Sequence, residues 1–275
     1  MPISKKIHYC WLSGDQLPEN LQKCLQTWRD KMPDYELVLW DKNKFDIDSV
    51  TWVRDACRAK KWAFAADYVR LYALYTEGGI YLDTDVAVLK SFNDFLQYSF
   101  FSAVEYVPHA AKKQKVHAML DIDGCLKKQE LCTVPGIGIQ AAIMGAQKGH
   151  PYLKDCMKWY EKQHFILPNG KYNTEYLAPA VYAYFAIKYG FRYRNELQKL
   201  KDNMIIFPPS VLASNNYNPQ KDTYAVHLCN DSWNENNILK YLRRNNFLRK
   251  LLGKRPLFTI DDIAQSDFLT LQNSR

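Results

Sequence analysis

Two aspartates separated by one residue, Asp83 and Asp85, are the residues whose types and spacing most directly indicate chemistry. They follow Ile80-Tyr81-Leu82, which has the composition of a strand, so both lie where a strand ends and the chain turns. At such a turn two carboxylates can approach one small volume, and hard oxygen ligands suit Mg²⁺ or Mn²⁺ better than zinc. The pattern predicts a divalent-metal site, with diphosphate oxygens of a substrate completing the coordination. A solvated turn is the alternative, because a three-residue pattern recurs by chance.

A charged pair precedes these aspartates on a predicted helix. Residues 56–77 have helix-forming composition, and Gly78-Gly79 supplies a left-handed stop that leads into the aspartate strand. Asp67 and Arg70 are three positions apart on this helix and therefore share one face. A carboxylate and a guanidinium at this place could hold sugar hydroxyls or phosphate. A surface ion pair, worth below about 1 kcal/mol, is the alternative.

Strands and helices alternate along the 275 residues, which predicts an α/β fold with a parallel or mixed sheet. Residues 108–134 are polar and mixed, and are expected to form a mobile loop or an insertion. Strands are expected at 7–12, 35–40, 80–82, 136–146, 205–209 and 224–228, and helices at 18–28, 56–77, 152–163 and 174–189.

The net charge of +8 is concentrated near the C-terminus. Residues 236–256 contain seven Lys or Arg and no acidic residue, and apolar residues alternate with the basic ones. We therefore expect a folded domain at 1–235 and a basic helical segment at 236–275, which docks on an anionic membrane surface through 236–256. A solvated C-terminal helix is the alternative.

The composition indicates the cellular compartment of the protein and the kind of molecule that it binds. Seven scattered cysteines with no C-x-x-C pair, and no apolar leader at the N-terminus, favour a cytoplasmic protein at or near the inner face of the cell membrane. Because the basic charge is confined to one segment and no nucleic-acid motif is visible, no nucleic-acid partner is expected. A nucleic-acid-binding protein or a metal-dependent phosphoesterase remains the alternative of another class.

The run from Lys60 to Tyr75, followed by Gly78 to Asp85, resembles the DXD-containing sugar-binding region of glycosyltransferase family 32. That family includes bacterial capsular-polysaccharide enzymes and fungal mannosyltransferases. Residues 7–11, 144–151 and 227–233 are similar to other family segments, in the same order. The resemblance implies a GT-A type, Rossmann-like mixed sheet flanked by helices, a nucleotide-sugar donor, Mn²⁺ or Mg²⁺, and retention of anomeric configuration.

Roles follow from the resemblance position by position. Trp11 would stack on the nucleobase, and Asp67 with Arg70 would contact the donor sugar. Asp85 would ligate the metal directly, while Asp83 would contact ribose and sugar or reach the metal through water. A further ligand to the metal or the diphosphate is expected from His227. Core positions for Trp11 and His227 are the alternatives.

The last part of the expected site is a closing loop over the diphosphate, formed by Asn230, Ser232 and Trp233. The chain departs from the family there, because a second histidine and a glycine are replaced by Leu228 to Asp231. Gln140 falls where relatives often carry an amide near the reacting carbon, although an ordinary Gln at a strand edge would look the same. No catalytic base is assigned.

The resemblance implies a retaining transferase that moves a hexose from a nucleotide-sugar, preferably a UDP-sugar such as UDP-galactose, to a saccharide or polyprenyl-diphosphate-linked acceptor in capsule or surface polysaccharide synthesis. GDP-mannose is the alternative donor.

Overall fold

The structure, a computed structural model, describes residues 2–112, 114–214, 219–228, 246–251, 257 and 259–265. Its strands are β1 (Lys6–Cys10), β2 (Glu36–Trp40), β3 (Gly79–Leu82), β4 (Val86–Val88), β5 (Phe100–Tyr106), β6 (Ile137–Ile139), β7 (Ile143–Ala146), β8 (Gln198–Lys199), β9 (Met204–Phe207), β10 (Leu212–Ser214) and β11 (Ala225–His227). Its helices are α1 (Glu19–Lys31), α2 (Thr51–Arg58), α3 (Trp62–Glu77), α4 (Pro108–Ala111), α5 (Gln114–Met119), α6 (Pro151–Glu161), α7 (Ala178–Ala186), α8 (Asn246–Leu251) and α9 (Ile260–Gln265).

The main sheet has the strand order β2-β1-β3-β7-β5-β9-β8, with β6 paired to β5. Strands β2, β1 and β3 are parallel, whereas β7 runs antiparallel to both of its neighbours. Strands β3 and β5 therefore point the same way, and their carboxyl ends lie at one edge of the sheet. The predicted mixed α/β sheet flanked by helices is confirmed.

A small second sheet, ordered β10-β11-β4, packs against one face of the main sheet. Its strands share a core with α1 and with alternate residues of β3 and β5. Helices α2, α3, α6 and α7 cover the opposite face through a second and larger core. The carboxyl edge of the main sheet thus lies between a helical layer and a small sheet.

The predicted helix at 56–77 is two helices, α2 and α3, which is a correction. Lys60, between them, has φ +55°, and the backbone N–H of Lys61 donates to the carbonyl of Ala56 at 2.8 Å. A left-handed residue ends a helix even when the flanking residues favour helix. The break lets α2 and α3 pack against each other.

The predicted strand at 136–146 is also divided, into β6 and β7. Between them the carbonyls of Gln140 and Ile143 both lie within hydrogen-bond distance of the Ser102 hydroxyl, at 3.0 and 2.9 Å. A side chain therefore takes the place of ladder bonds at this point, and the chain bulges. In the predicted insertion at 108–134, the short helices α4 and α5 are present.

Parts of the C-terminal segment lie against α1. Ile260 packs on a small core formed by Cys24, Val226 and Leu228, and Lys23 forms an ion pair with Asp261 at 3.1 Å. Most of 236–256 lies outside the described residues, so membrane docking through it stays a prediction. Within the described ranges, no helix combines the length and the apolar character needed to span a bilayer.

Candidate metal and donor site

Three ligand-bearing side chains meet at the carboxyl edge of the main sheet. Asp83 and Asp85 follow β3, and His227 ends β11, which pairs antiparallel with β4 so that His227 lies opposite Val86. One ligand atom from each of the three lies within 4.8 Å of the others, and all three residues are half-buried. His227 Nε2 is 3.2 Å from a carboxylate oxygen of Asp85. The small sheet thus carries the histidine to the aspartates.

The donor set is suited to one divalent cation. Metal–oxygen bonds of about 2.1 Å place opposed ligands about 4.2 Å apart, so atoms already this close can share an ion with little movement. Carboxylates suit Mg²⁺ and Mn²⁺, and an imidazole adds affinity for a transition metal. We conclude that Asp83, Asp85 and His227 are the residues that could hold the predicted metal.

Arg70 joins this cluster to the helical layer. Its guanidinium lies 3.2 Å from Asp67 and 3.5 Å from Asp83. Two backbone carbonyls hold it in place, since Nε donates to Ala66 at 3.0 Å and Nη1 donates to Ala141 at 2.7 Å. The alternative of a surface ion pair is wrong, because the Arg70 side chain is only 4% exposed.

The electrostatics of the cluster follow from burial. Burial raises the pKa of Asp67 to about 7, with Asp83 adding to the rise and Arg70 opposing it. Burial alone would lower the pKa of Arg70, but the nearby Asp83 and Asp67 raise it overall. The Arg70 guanidinium contacts Asp67 and Asp83, whereas Asp85 lies beside His227. A cation would be attracted to the negative charge that Arg70 does not compensate.

The turn before β3 is locked to the neighbouring strands. Gly78 and Gly79 have φ +68° and +111°, a region that favours glycine. The buried His8 contacts the turn through Nε2, 2.7 Å from the carbonyl of Gly78, while Trp40 Nε1 donates to Nδ1 at 3.0 Å. Burial lowers the pKa of His8, which favours the neutral ring with its proton on Nε2. This contact fixes the direction in which β3 delivers Asp83.

The side chains of Trp11 and Gln140 each donate a hydrogen bond to a backbone carbonyl. Trp11 continues β1 toward the same edge, and its indole N–H donates to the carbonyl of Asp15 at 2.6 Å. The Gln140 amide is buried and donates to the carbonyl of Leu212 at 2.9 Å, which links the main sheet to β10. Their roles toward nucleobase and reacting carbon stay predictions. Asn230, Ser232 and Trp233, the predicted closing loop, lie outside the described residues.

Several polar residues of this region were missed by sequence reasoning. The Tyr81 hydroxyl donates to Asp83 at 2.9 Å, and its ring lies 4.9 Å from the Arg70 guanidinium. Tyr182, from α7, donates to the carbonyl of Asp67 at 2.9 Å. A third is Glu105, near the end of β5, which interacts electrostatically with His227. An acidic residue inside the apolar run 100–106 was the available signal for Glu105.

Part of this chain is similar to a known protein family. Residues 18–101 match the family model described as "Glycosyltransferase sugar-binding region containing DXD motif". This range includes α3, the glycine turn, β3 and both aspartates. It does not reach His227, which only the fold brings to the site.

Individual relatives match over shorter stretches of their own length. The chain is 29% identical over 119 residues to "Subversion of eukaryotic traffic protein A" of Legionella pneumophila, covering 34% of this chain and 18% of that protein. It is 29% identical over 160 residues to "Inositol phosphoceramide mannosyltransferase 3" of Schizosaccharomyces pombe, covering 57% and 36%. The chain thus spans about a third or less of the length of these curated relatives.

Among solved structures, the PaToxG glycosyltransferase aligns with TM-score 0.47 and 18% identity, covering 68% of this chain and 70% of that chain. A similarity at this level carries no functional inference, so the assignment depends on the family-model match and on the DXD residues it contains. Residues 18–101 are therefore similar to the DXD-containing sugar-binding region of glycosyltransferases, in agreement with the resemblance of the sequence to family 32.

Proposed function

We propose that the protein transfers a hexose from a nucleotide-sugar diphosphate to a hydroxyl group of a saccharide acceptor. The observation that carries this proposal is the joint position of two groups of residues. Asp83, Asp85 and His227 lie close enough together to hold one cation, and Arg70 lies beside them with Asp67. A cation offsets the charge of a diphosphate, and a fixed guanidinium beside a carboxylate suits the hydroxyls and oxygens of a sugar phosphate.

The transfer reaction needs no general base from the protein. The acceptor oxygen bonds to the anomeric carbon, and the bond from that carbon to the diphosphate oxygen breaks, with its electron pair leaving on the diphosphate. The hydroxyl proton passes to that leaving oxygen. The protein's part is to hold the acceptor oxygen on the face of the sugar from which the diphosphate leaves, and to stabilise the departing charge. A bond formed on that face retains the anomeric configuration, and it places the acceptor proton next to the leaving oxygen.

Two donors are to be compared. The family resemblance of the sequence favours UDP-galactose, whereas the Schizosaccharomyces pombe relative is named as a mannosyltransferase. That name favours GDP-mannose as the first donor to test. A lipid-linked acceptor is supported by the same name, which refers to inositol phosphoceramide, and by the basic residues at 236–256.

The test is donor turnover with and without metal. Purified protein is incubated with radiolabelled GDP-mannose, UDP-galactose or UDP-glucose, with Mn²⁺ or with EDTA, and nucleotide release is followed. We expect metal-dependent hydrolysis or transfer with one donor, reduced at least a hundredfold in Asp85→Asn. The control is Asp30→Asn, which changes an exposed aspartate on α1. No donor binding with either metal condition, or full activity in Asp85→Asn, would refute the proposal.

A further inference from the structure

Glu105 is a charged residue near the metal cluster, and the proposed donor site gives it no role. It lies on β5, where alternate side chains point to opposite faces of the sheet. Phe101 and Ala103 face the small sheet, and they share a core with Leu212 and Ala225. Glu105 is the next residue on that same face. An acidic side chain therefore continues an apolar row at the point where the core ends.

The direction of the strands places Glu105 at the edge that holds the metal cluster. Strands β3 and β5 both run antiparallel to β7 and so end at the same edge. One strand separates them, so their ends are two interstrand spacings apart, about 10 Å. On the small sheet, β11 runs from Ala225, which belongs to the same core as Ala103, to His227. Glu105 and His227 therefore approach each other from two sheets.

The carboxylate of Glu105 is open to a ligand. Glu105 is exposed, and although its backbone pairs with β6, its carboxylate forms no hydrogen bond or ion pair with a described residue. Protein nevertheless surrounds the carboxyl group closely enough that burial raises its pKa, with His227 opposing the rise. An exposed carboxylate with no partner among the described residues is available to a ligand.

Charge and position indicate which substrate reaches this carboxylate. It stands outside the cluster of Asp83, Asp85 and His227. A negative diphosphate would be repelled by it, whereas hydroxyl groups would donate to it. Arg70 and Asp67 approach the edge from the helical layer, and Glu105 approaches from the small-sheet side. A saccharide that enters on the small-sheet side meets Glu105, with the donor held between it and Arg70.

We propose that Glu105 accepts a hydrogen bond from a hydroxyl of the acceptor saccharide and so orients the acceptor for attack on the anomeric carbon. This inference depends on the proposed transferase function. It makes Glu105 a positioning residue for the second substrate, with no part in holding the metal or the nucleotide.

The test separates donor chemistry from acceptor binding. Glu105→Ala, Glu105→Gln and wild type are compared with the donor that the wild type turns over, in Mn²⁺. One arm measures donor hydrolysis without acceptor, and the other measures transfer to the methyl α-glycosides of mannose, galactose and glucose. Glu130→Gln is the matched control, because Glu130 is also exposed and lies outside the site.

We expect Glu105→Ala to hydrolyse donor within about twofold of wild type while its KM for the methyl glycoside rises at least tenfold. Glu105→Gln keeps an acceptor oxygen and should fall between the two. An unchanged KM, a parallel loss of donor hydrolysis, or wild-type transfer to none of the three glycosides would each overturn the inference. Failure of the wild type to bind or hydrolyse any donor is a different result, because it would remove the transferase function itself.

Discussion

The Arg70 guanidinium on α3 lies 3.5 Å from the carboxylate of Asp83, at the end of β3. The two residues are separated by the glycine turn, so their contact depends on how that turn folds β3 back along α3. The same guanidinium contacts Asp67, one helical turn earlier. Arg70 therefore connects the residue predicted to touch the donor sugar with the residue predicted to reach the metal.

Replacing Arg70 by Lys tests this connection. A lysine keeps the charge but cannot contact Asp67, Asp83 and the Ala141 carbonyl at once. We expect donor affinity to fall at least tenfold, and the free energy of unfolding to fall by about 1–3 kcal/mol because buried polar groups lose partners. Calorimetric titration and chemical denaturation measure the two effects. Arg58→Lys, at an exposed position of α2, is the control and should behave as wild type.

Metal binding can be measured without turnover. Mn²⁺ titration followed by electron paramagnetic resonance should show one bound ion in wild type. Asp85→Asn and His227→Ala should each weaken binding at least tenfold, since each removes one ligand of the cluster. Asp30→Asn should bind as wild type does. Unchanged Mn²⁺ affinity in both ligand variants would show that the ion, if bound, lies elsewhere.

Gly79→Ala tests the glycine turn that sets the direction of β3. A Cβ at Gly79 would lie 2.9 Å from the Lys6 carbonyl and 3.1 Å from His8 Nε2, in a backbone with φ +111°. We expect a loss of about 2 kcal/mol or more in unfolding free energy, together with weaker Mn²⁺ binding. The comparison is Gly170→Ala, where φ is also positive but no atom lies within 4 Å. A loss at Gly79 no larger than at Gly170 would contradict the proposed close packing.

The end of α3 makes a pH-dependent contribution to stability. Burial acts to raise the pKa of Glu77, but hydrogen bonds from Lys6 and Lys44 lower it to about 2, from an ordinary value of 4.5. A lowered pKa stabilises the fold above pH 4.5 and loses that effect as the pH falls toward 2. Glu77→Gln should therefore be less stable than wild type at pH 7 by on the order of 1–3 kcal/mol.

The difference between wild type and Glu77→Gln should shrink as the pH falls from about 4.5 to 2, because both side chains are then neutral. Denaturation at several pH values gives this difference. Glu130→Gln should show no such trend. A constant gap between wild type and Glu77→Gln across that window would mean that the two lysines do not hold the charge.

The membrane role of the basic segment is tested by removing its charges. Truncation is unsuitable, because Ile260 packs on the main body and its removal would disturb that contact. Replacing the seven Lys and Arg of 236–256 by Gln should weaken binding to vesicles containing phosphatidylglycerol at least tenfold. Binding to neutral phosphatidylcholine vesicles should be weak for both proteins. Co-sedimentation measures this, and equal binding to anionic vesicles would remove the predicted membrane role.

The sequence alone predicted the charged residues that are proposed to bind the donor, and they do lie close together. Asp67, Arg70, the glycine turn, Asp83 and Asp85 lie within 19 consecutive residues, so local helix and strand geometry was sufficient to bring them near one another. The alternation of helices and strands was likewise sufficient for the α/β class. Both conclusions depend on interactions between residues close in the chain.

Tertiary structure decided what local pattern could not. Lys60 divided the predicted helix because a left-handed residue follows from packing between α2 and α3, and not from its side-chain type. His227 and Glu105 are distant from the aspartates in sequence, and their positions depend on how the small sheet packs on the main one. Strand pairing and sheet packing join residues without regard to their separation along the chain. The resemblance had indicated His227 as a ligand, but its closeness to the aspartates, and the position of the Glu105 carboxylate, became visible only in the folded protein.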